Sequence, residues 1–161
     1  MTLAACAATM DYAERLTRAG IATIPEGVYR FTDRFDCDEF LGELELGVTV
    51  EVEGGDQRFC FTSPPQMRNS RNVVWTGLLA KVYYAVRTLV GPAIPANAGP
   101  YRPIRVEAEP GALLNSETPA AVDGRTQTCQ RSVDLIHGSL APAVPGRVTA
   151  AHNGANASFD F

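Results

Sequence analysis

From Leu44 to Glu53 the chain alternates strictly, with Leu44, Leu46, Val48, Val50 and Val52 all on one side. A period of two over ten residues suits a β-strand with one face buried and suits no helix. Gly54-Gly55-Asp56 follows directly. Paired glycines between two apolar runs are a hairpin signal, so Gln57 to Thr62 is expected to return as the antiparallel partner. A looser alternation from Val28 to Phe35 sets Val28, Arg30 and Thr32 against Tyr29 and Phe31, and predicts a further strand. Ile104 to Ala108 predicts another.

Between these strands the apolar period lengthens. Leu3 to Gly20 reads as a helix whose inner face carries Leu3, Cys6, Met10, Ala13 and Leu16 or Thr17. Glu14 and Arg18 make a favourable i,i+4 pair on it. Pro25 lies beyond its end. Val73 to Val90 is a second helix, with Trp75, Leu78, Leu79, Val82, Val86 and Leu89 as a wide stripe, Asn69, Ser70 or Asn72 as N-cap, and Gly91-Pro92 as the stop. A third helix begins near Thr126 or Thr128 and ends before Pro145. It directs Val133, Ile136, Leu140 and Val144 one way. Gly138 inside it costs about 1 kcal/mol relative to alanine, which close packing would justify. Val148 to Phe161 reads as a strand, a Gly/Asn turn and a second strand. That last alternation, Ala157 to Phe161, gives the chain the look of part of a larger assembly. The whole is α+β, a mixed sheet with a hairpin and three main helices, in a single domain over residues 1–161.

The chain has 161 residues and a formal charge of −4. Of its 14 basic residues only Lys81 is lysine. Nucleic acid is not an expected partner, because phosphate contacts need clustered positive charge. No apolar run approaches the ~20 residues that span a bilayer, so no membrane partner is expected. Cys6, Cys37, Cys60 and Cys129 show no CxxC spacing. They could pair as two bridges, but free thiols in a reducing cytosol are the preferred reading, and the expected location is cytoplasmic.

The stretch from Pro92 to Leu140 holds most of the functional interest. Its loops are long for a compact domain, and such loops usually bind or catalyse. Arg102, Arg125 and Arg131 punctuate it. Arg125 precedes the third helix and Arg131 lies one turn in, where the pair could clamp a carboxylate or phosphate at the helix N-terminus. A capped helix with solvated arginines is the plainer alternative. Cys129 near the same terminus could be an activated thiol. The acidic run Asp33, Asp36, Cys37, Asp38 and Glu39 could hold a metal, though a solvated acidic loop explains it better. His137 falls on the apolar side of its helix and reads as a packed, hydrogen-bonded ring. His152 is the better site residue of the two. No Walker loop, GxGxxG, GxSxG or HExxH occurs.

Several motifs, in order, are familiar. They are Asp11 to Arg15, Ile24 to Tyr29, Phe61-Thr62-Ser63-Pro64-Pro65-Gln66-Met67-Arg68, Val82-Tyr83-Tyr84-Ala85-Val86-Arg87, Ile94 to Gly99, Arg102-Pro103-Ile104, Pro110-Gly111 to Leu114-Asn115, and Thr128-Cys129-Gln130-Arg131-Ser132-Val133-Asp134. Together they resemble the hydantoinase B/oxoprolinase family over nearly the whole chain. Two stretches depart from it. Gly124-Arg125-Thr126-Gln127-Thr128-Cys129 stands where the family has Gly-Asn-x-Glu-Thr-Ser. His152-Asn153-Gly154-Ala155-Asn156-Ala157 stands where it has Gln-Gly-Thr-Met-Asn-Asn. The family's histidine- and aspartate-rich metal-binding region also has no counterpart here.

The resemblance implies part of a larger hydantoinase B-like fold. It implies a fragment or small subunit of an ATP-dependent cyclic-amide hydrolase that opens hydantoins or 5-oxoproline. The partners it implies are a hydantoinase A-like ATP-binding subunit, the remainder of a hydantoinase B-like subunit and a small cyclic amide. No cofactor is expected on this chain alone. ATP and a divalent metal are expected in the full complex. Arg125, Thr128, Gln130 and Arg131 are expected to line the substrate side of a shared site, with Asn97 and Arg102 in support. Two other outcomes stay open: a component of an acetone- or acetophenone-type ketone carboxylase, and a degenerate structural subunit without chemistry.

Overall fold

The computed structural model describes residues 2–38 and 42–151. The hairpin lies where the alternation places it. Strand β2 (Gly42–Glu53) turns through Gly54 and Gly55 into β3 (Asp56–Thr62). Both turn glycines have positive φ, 55° and 85°. Glycine alone takes two such residues in succession without strain, and the resulting bend matches the twist of paired strands. Leu44, Leu46, Val48, Val50 and Val52 are all buried.

On the other side of β2 lies β1 (Gly27–Asp38), antiparallel, with Tyr29 opposite Val50 and Phe31 opposite Val48. Strand β4 (Ile104–Ala108) pairs with β3 in parallel. The sheet order is β1-β2-β3-β4, and the mixed pairing makes the fold α+β. Among the described residues three helices complete it, α1 (Leu3–Ile21), α2 (Trp75–Val90) and α3 (Arg125–Leu140), with a 3-10 turn at Gly99–Tyr101. Leu78, Val82, Ala85 and Val86 of α2, and Leu135, Ile136 and Leu140 of α3, join the strand residues in one core. Each buried Val, Leu or Ile among them stabilises the fold by about 1.5–3 kcal/mol relative to exposure. The opposite sheet face is charged and exposed. There Arg34 pairs with Glu43 and Glu45, and Arg58 with Glu51 and Glu107. No helix among the described residues is long and apolar enough to cross a membrane.

Four expectations change. Helix α1 buries only Ala13, Thr17 and Ile21, while Leu3 is 90% exposed. Cys6 and Met10 on the expected face are only half-buried. Helix α2 begins at Trp75 with Val74 as N-cap and no capping side chain. Helix α3 begins at Arg125 after Gly124, one residue before the earlier of the two expected starts. Val148 to Ala151 is irregular rather than a strand. The strand expected at Ala157 to Phe161 lies outside the described residues.

Asn72 does something other than cap a helix. Its side chain is wholly buried. Nδ2 donates to the carbonyls of Met67, Asn69 and Ala121, and Oδ1 accepts from the Met67 amide at 2.7 Å. That ties the loop after β3 to the loop before α3. Backbone bonds run beside it: Leu113 N to Pro64 O, Val73 N to Leu113 O, and Ser116 N to Val73 O. The long loops are thus bonded to each other, as buried backbone groups require.

Helix α3 lies across β1 and β2 with Gly138 against the Phe31 ring, where a Cβ would stand 2.7 Å from a ring carbon. Two substitutions test these contacts. Gly138→Ala should cost about 1–3 kcal/mol in urea unfolding, because the added Cβ must displace the Phe31 ring from the helix. Asn72→Asp keeps the shape but turns an oxygen toward carbonyls, and should cost more than about 3 kcal/mol.

Candidate functional site

Helix α3 is held from below and open above. Thr128, Cys129, Ser132, Leu135, Ile136, Ser139 and Leu140 are buried. The Thr128 hydroxyl donates to Arg71 O at 2.8 Å, which joins the helix start to the loop braid. Its outer side carries Gln130, Arg131, Asp134 and His137. Two hollows flank that side. One, of about 480 Å³, lies toward α2 and is lined by Lys81, Tyr84, Gln130, Val133, Asp134 and His137. The other, of about 330 Å³, lies toward β1 and includes Phe31, Asp33, Arg131 and Gly138. Asp134, His137, Thr149 and Ala151 border both.

The charges in these hollows are arranged by the sheet. Asp33 opposes Leu46 in the β1–β2 register and so points to the helix side of the sheet. A carboxylate there needs a partner. Arg131 supplies one, with Nη1 2.9 Å from Asp33 and 3.8 Å from Asp134. His137 bridges the two helices through Nε2, 3.0 Å from Thr88 Oγ1. The Thr88 hydroxyl proton goes to Ala85 O. That assigns the proton at Nε2 and leaves Nδ1 as an acceptor. Burial lowers the His137 pKa below the usual imidazole value, against the opposing pull of the Ala85 carbonyl and Asp134. The ring is therefore neutral at pH 7.

The six expected site residues do not form one cluster. Gln130 and Arg131 line the two hollows. Thr128 is fully buried beneath them. Arg125 is exposed and donates to Val122 O, so it and Arg131 turn to different neighbours and make no joint clamp. Asn97 and Arg102 serve α1. Asn97 accepts from Gly99 N and donates to Thr9 O, and Arg102 Nη1 reaches Asp11 at 2.8 Å and Glu14 at 2.9 Å.

The thiol activation that the helix start could have produced is not found. Cys129 is buried and its pKa is raised by desolvation, which outweighs the positive charges of Lys81 and Arg125. His137 is packed and hydrogen-bonded, as its position on the helix predicted. His152 and Glu39 lie outside the described residues. Asp33, from the acidic run, serves an ion pair. Among the described residues no three His, Cys, Asp or Glu side chains form a group that could hold a metal.

Lys81, Tyr84 and Asp134 were not singled out from the sequence. Helical spacing puts Lys81 and Tyr84 together on the polar flank of α2, but only the docking of α3 makes that flank a wall.

The neutral histidine makes stability depend on pH. Unfolded, the ring takes its proton near pH 6.5, and folded it does so at lower pH. Its contribution is complete above pH 6.5 and is lost as the pH falls through that value toward the folded one. His137→Gln should therefore flatten the fall in unfolding free energy as the pH drops below 6.5, measured by urea titration at each pH.

Comparison with known proteins agrees with this architecture. The family described as Hydantoinase B/oxoprolinase matches residues 1–161. The beta subunit of caprolactamase from Pseudomonas jessenii is 32% identical over 143 residues, covering 87% of this chain and 25% of the relative. The B subunit of a putative D-/L-hydantoinase from Pseudomonas sp. (strain NS671) is 30% identical over 154 residues, covering 88% of this chain and 26% of the relative. The crystal structure of ATP-dependent caprolactamase from Pseudomonas jessenii superposes with a TM-score of 0.80 at 31% identity, over 88% of this chain and 25% of that one. Acetone carboxylase in its nucleotide-free structure shares the fold at a TM-score of 0.72 and 14% identity, over 84% of this chain and 20% of that one. The chain spans about a quarter of the length of the curated relatives named here. With the match running over its whole length, this chain belongs to the hydantoinase B/oxoprolinase family.

Proposed function

We propose that this chain supplies one wall of the substrate site in an ATP-dependent cyclic-amide hydrolase. It acts with a hydantoinase A-type ATP-binding partner and with the remainder of a hydantoinase B-like subunit. The observation that carries this reading is the likeness to the caprolactamase beta subunit, 32% identical across 87% of this chain, with the fold matched at a TM-score of 0.80. In such a reaction water adds to the ring carbonyl carbon and the C–N bond breaks. A carboxylate and an amine result, and ATP hydrolysis drives the opening. ATP and any divalent metal belong to the other parts of the assembly. The role of this chain is to bind and orient the ring. Free thiols at Cys6, Cys60 and Cys129 and the use of ATP favour a cytoplasmic setting.

Within this chain the outer side of α3 is the proposed wall. Gln130 offers an amide that both donates and accepts, matching a ring N–H and C=O. Arg131 is fixed by Asp33 rather than waving in solvent, and a fixed guanidinium orients a carbonyl at little entropic cost. Arg125, Thr128, Asn97 and Arg102 support this wall from a distance, through the helix start and α1.

The test is an assembly reconstituted with its A-type partner and offered caprolactam, hydantoin, 5-oxoproline, or acetone with bicarbonate. ATP-dependent opening of a cyclic amide is the expected result. Carboxylation of acetone, or activity undiminished when this chain is omitted, would overturn it. Arg131→Ala should lower kcat/KM about tenfold or more while the circular dichroism spectrum is retained. Asp33→Asn should follow in the same direction, by freeing Arg131.

A further inference from the structure

Lys81 is the only lysine of the chain and sits midway along α2. It is half-buried, it lines the larger hollow, and it forms no ion pair or hydrogen bond among the described residues. The contrast with the smaller hollow is plain. There Arg131 is matched by Asp33, with Asp134 beyond. Asp134 borders both hollows and lies 3.8 Å from Arg131. An anion entering the hollow would meet a positive charge that has no ion-pair partner among the described residues.

The rest of the wall suits such an anion. Tyr84, one turn after Lys81, brings a phenolic O–H that is 59% exposed as a residue. Gln130 lines the hollow from the facing helix. Val133 and Ala150 supply apolar surface for a short carbon chain. A volume of about 480 Å³ is in the range of small-molecule pockets.

We propose that the hollow between α2 and α3 is a carboxylate pocket, in which Lys81 pairs with the carboxylate of a small amino acid or lactam acid and Tyr84 and Gln130 donate to it. The proposal rests on the cyclic-amide reading for its ligand. A simple closed lactam is neutral, whereas its ring-opened product carries a carboxylate. Lys81 thus tells product from neutral substrate by charge, and it also favours any lactam already bearing an acid group.

The single lysine makes the test direct. Reductive methylation with ¹³C-formaldehyde labels Lys81 and the N-terminal amine alone, and keeps the charge. The full chain is then titrated with 6-aminohexanoate, 5-oxoproline or caprolactam at constant ionic strength. A saturable shift of the Lys81 resonance with both carboxylates, and none with caprolactam, is expected. A shift with 6-aminohexanoate alone would assign the pocket to the product, and one with 5-oxoproline alone to an acidic substrate. A resonance that does not move, or that caprolactam or chloride moves equally, would overturn the proposal.

In the assembled enzyme, Lys81→Met should weaken inhibition by the carboxylate product at least about tenfold. Lys81→Arg should restore most of it. Inhibition unchanged in Lys81→Met, with ring opening intact in the parent, would sink the pocket and leave the enzyme reading standing. Saturable carboxylate binding by a chain whose assembly opens no ring would do the reverse.

Discussion

The buried carboxamide of Asn72 is the point on which the arrangement of the loops depends. Wholly enclosed, it meets three carbonyls and one amide from two stretches of chain. An amide buried with its partners rigidifies whatever it joins, because each bond lost inside a dry interior is not replaced by water. Here it joins the segment after β3 to the segment before α3. The first leads into α2 and the second into α3, so one side chain sets the approach of the two helices that carry the site. The Thr128 hydroxyl on Arg71 O extends the same junction by one more bond.

Above that junction the site is an arrangement of charges. Asp33 faces the helices because strand alternation gives it no other choice, and Arg131 follows because an unmatched carboxylate there would be costly. His137 stays neutral between α2 and α3. Close approach of α3 to β1, allowed by the missing side chain at Gly138, brings these groups together. The cost of glycine in a helix is repaid by contact with Phe31. Among the described residues the arginine of one hollow is paired and the lysine of the other is not.

Much of the fold was legible. Strict alternation from Leu44 to Val52 and the double glycine after it allowed only a hairpin, and β4 fell within its expected bounds. The Pro64-Pro65 and Thr128-Cys129-Gln130-Arg131 motifs carried the family. Capping was not legible. Asn69, Ser70 and Asn72 all suit an N-cap by chemistry, and the choice among cap, turn and buried tie is made by a loop 49 residues away, where Ala121 accepts from Asn72. The face of α1 misled for a related reason. Leu3 and Met10 have the spacing of a core stripe, but spacing does not say what lies opposite.

By itself the sequence determined the four sheet strands, the three helices and where the hairpin turns, though not the irregular course after Val148, since periodicity and turn chemistry act over a few residues. It also determined the family, through ordered motifs. Only the tertiary structure decided that Arg125 and Arg131 part company, that Cys129 is a buried thiol with a raised pKa, that Asp33 belongs with Arg131, and that Lys81 faces a hollow with no counter-charge of its own among the described residues. Each of those outcomes depends on distances between residues far apart in the chain. Coulomb and desolvation energies follow such distances, and no local pattern records them.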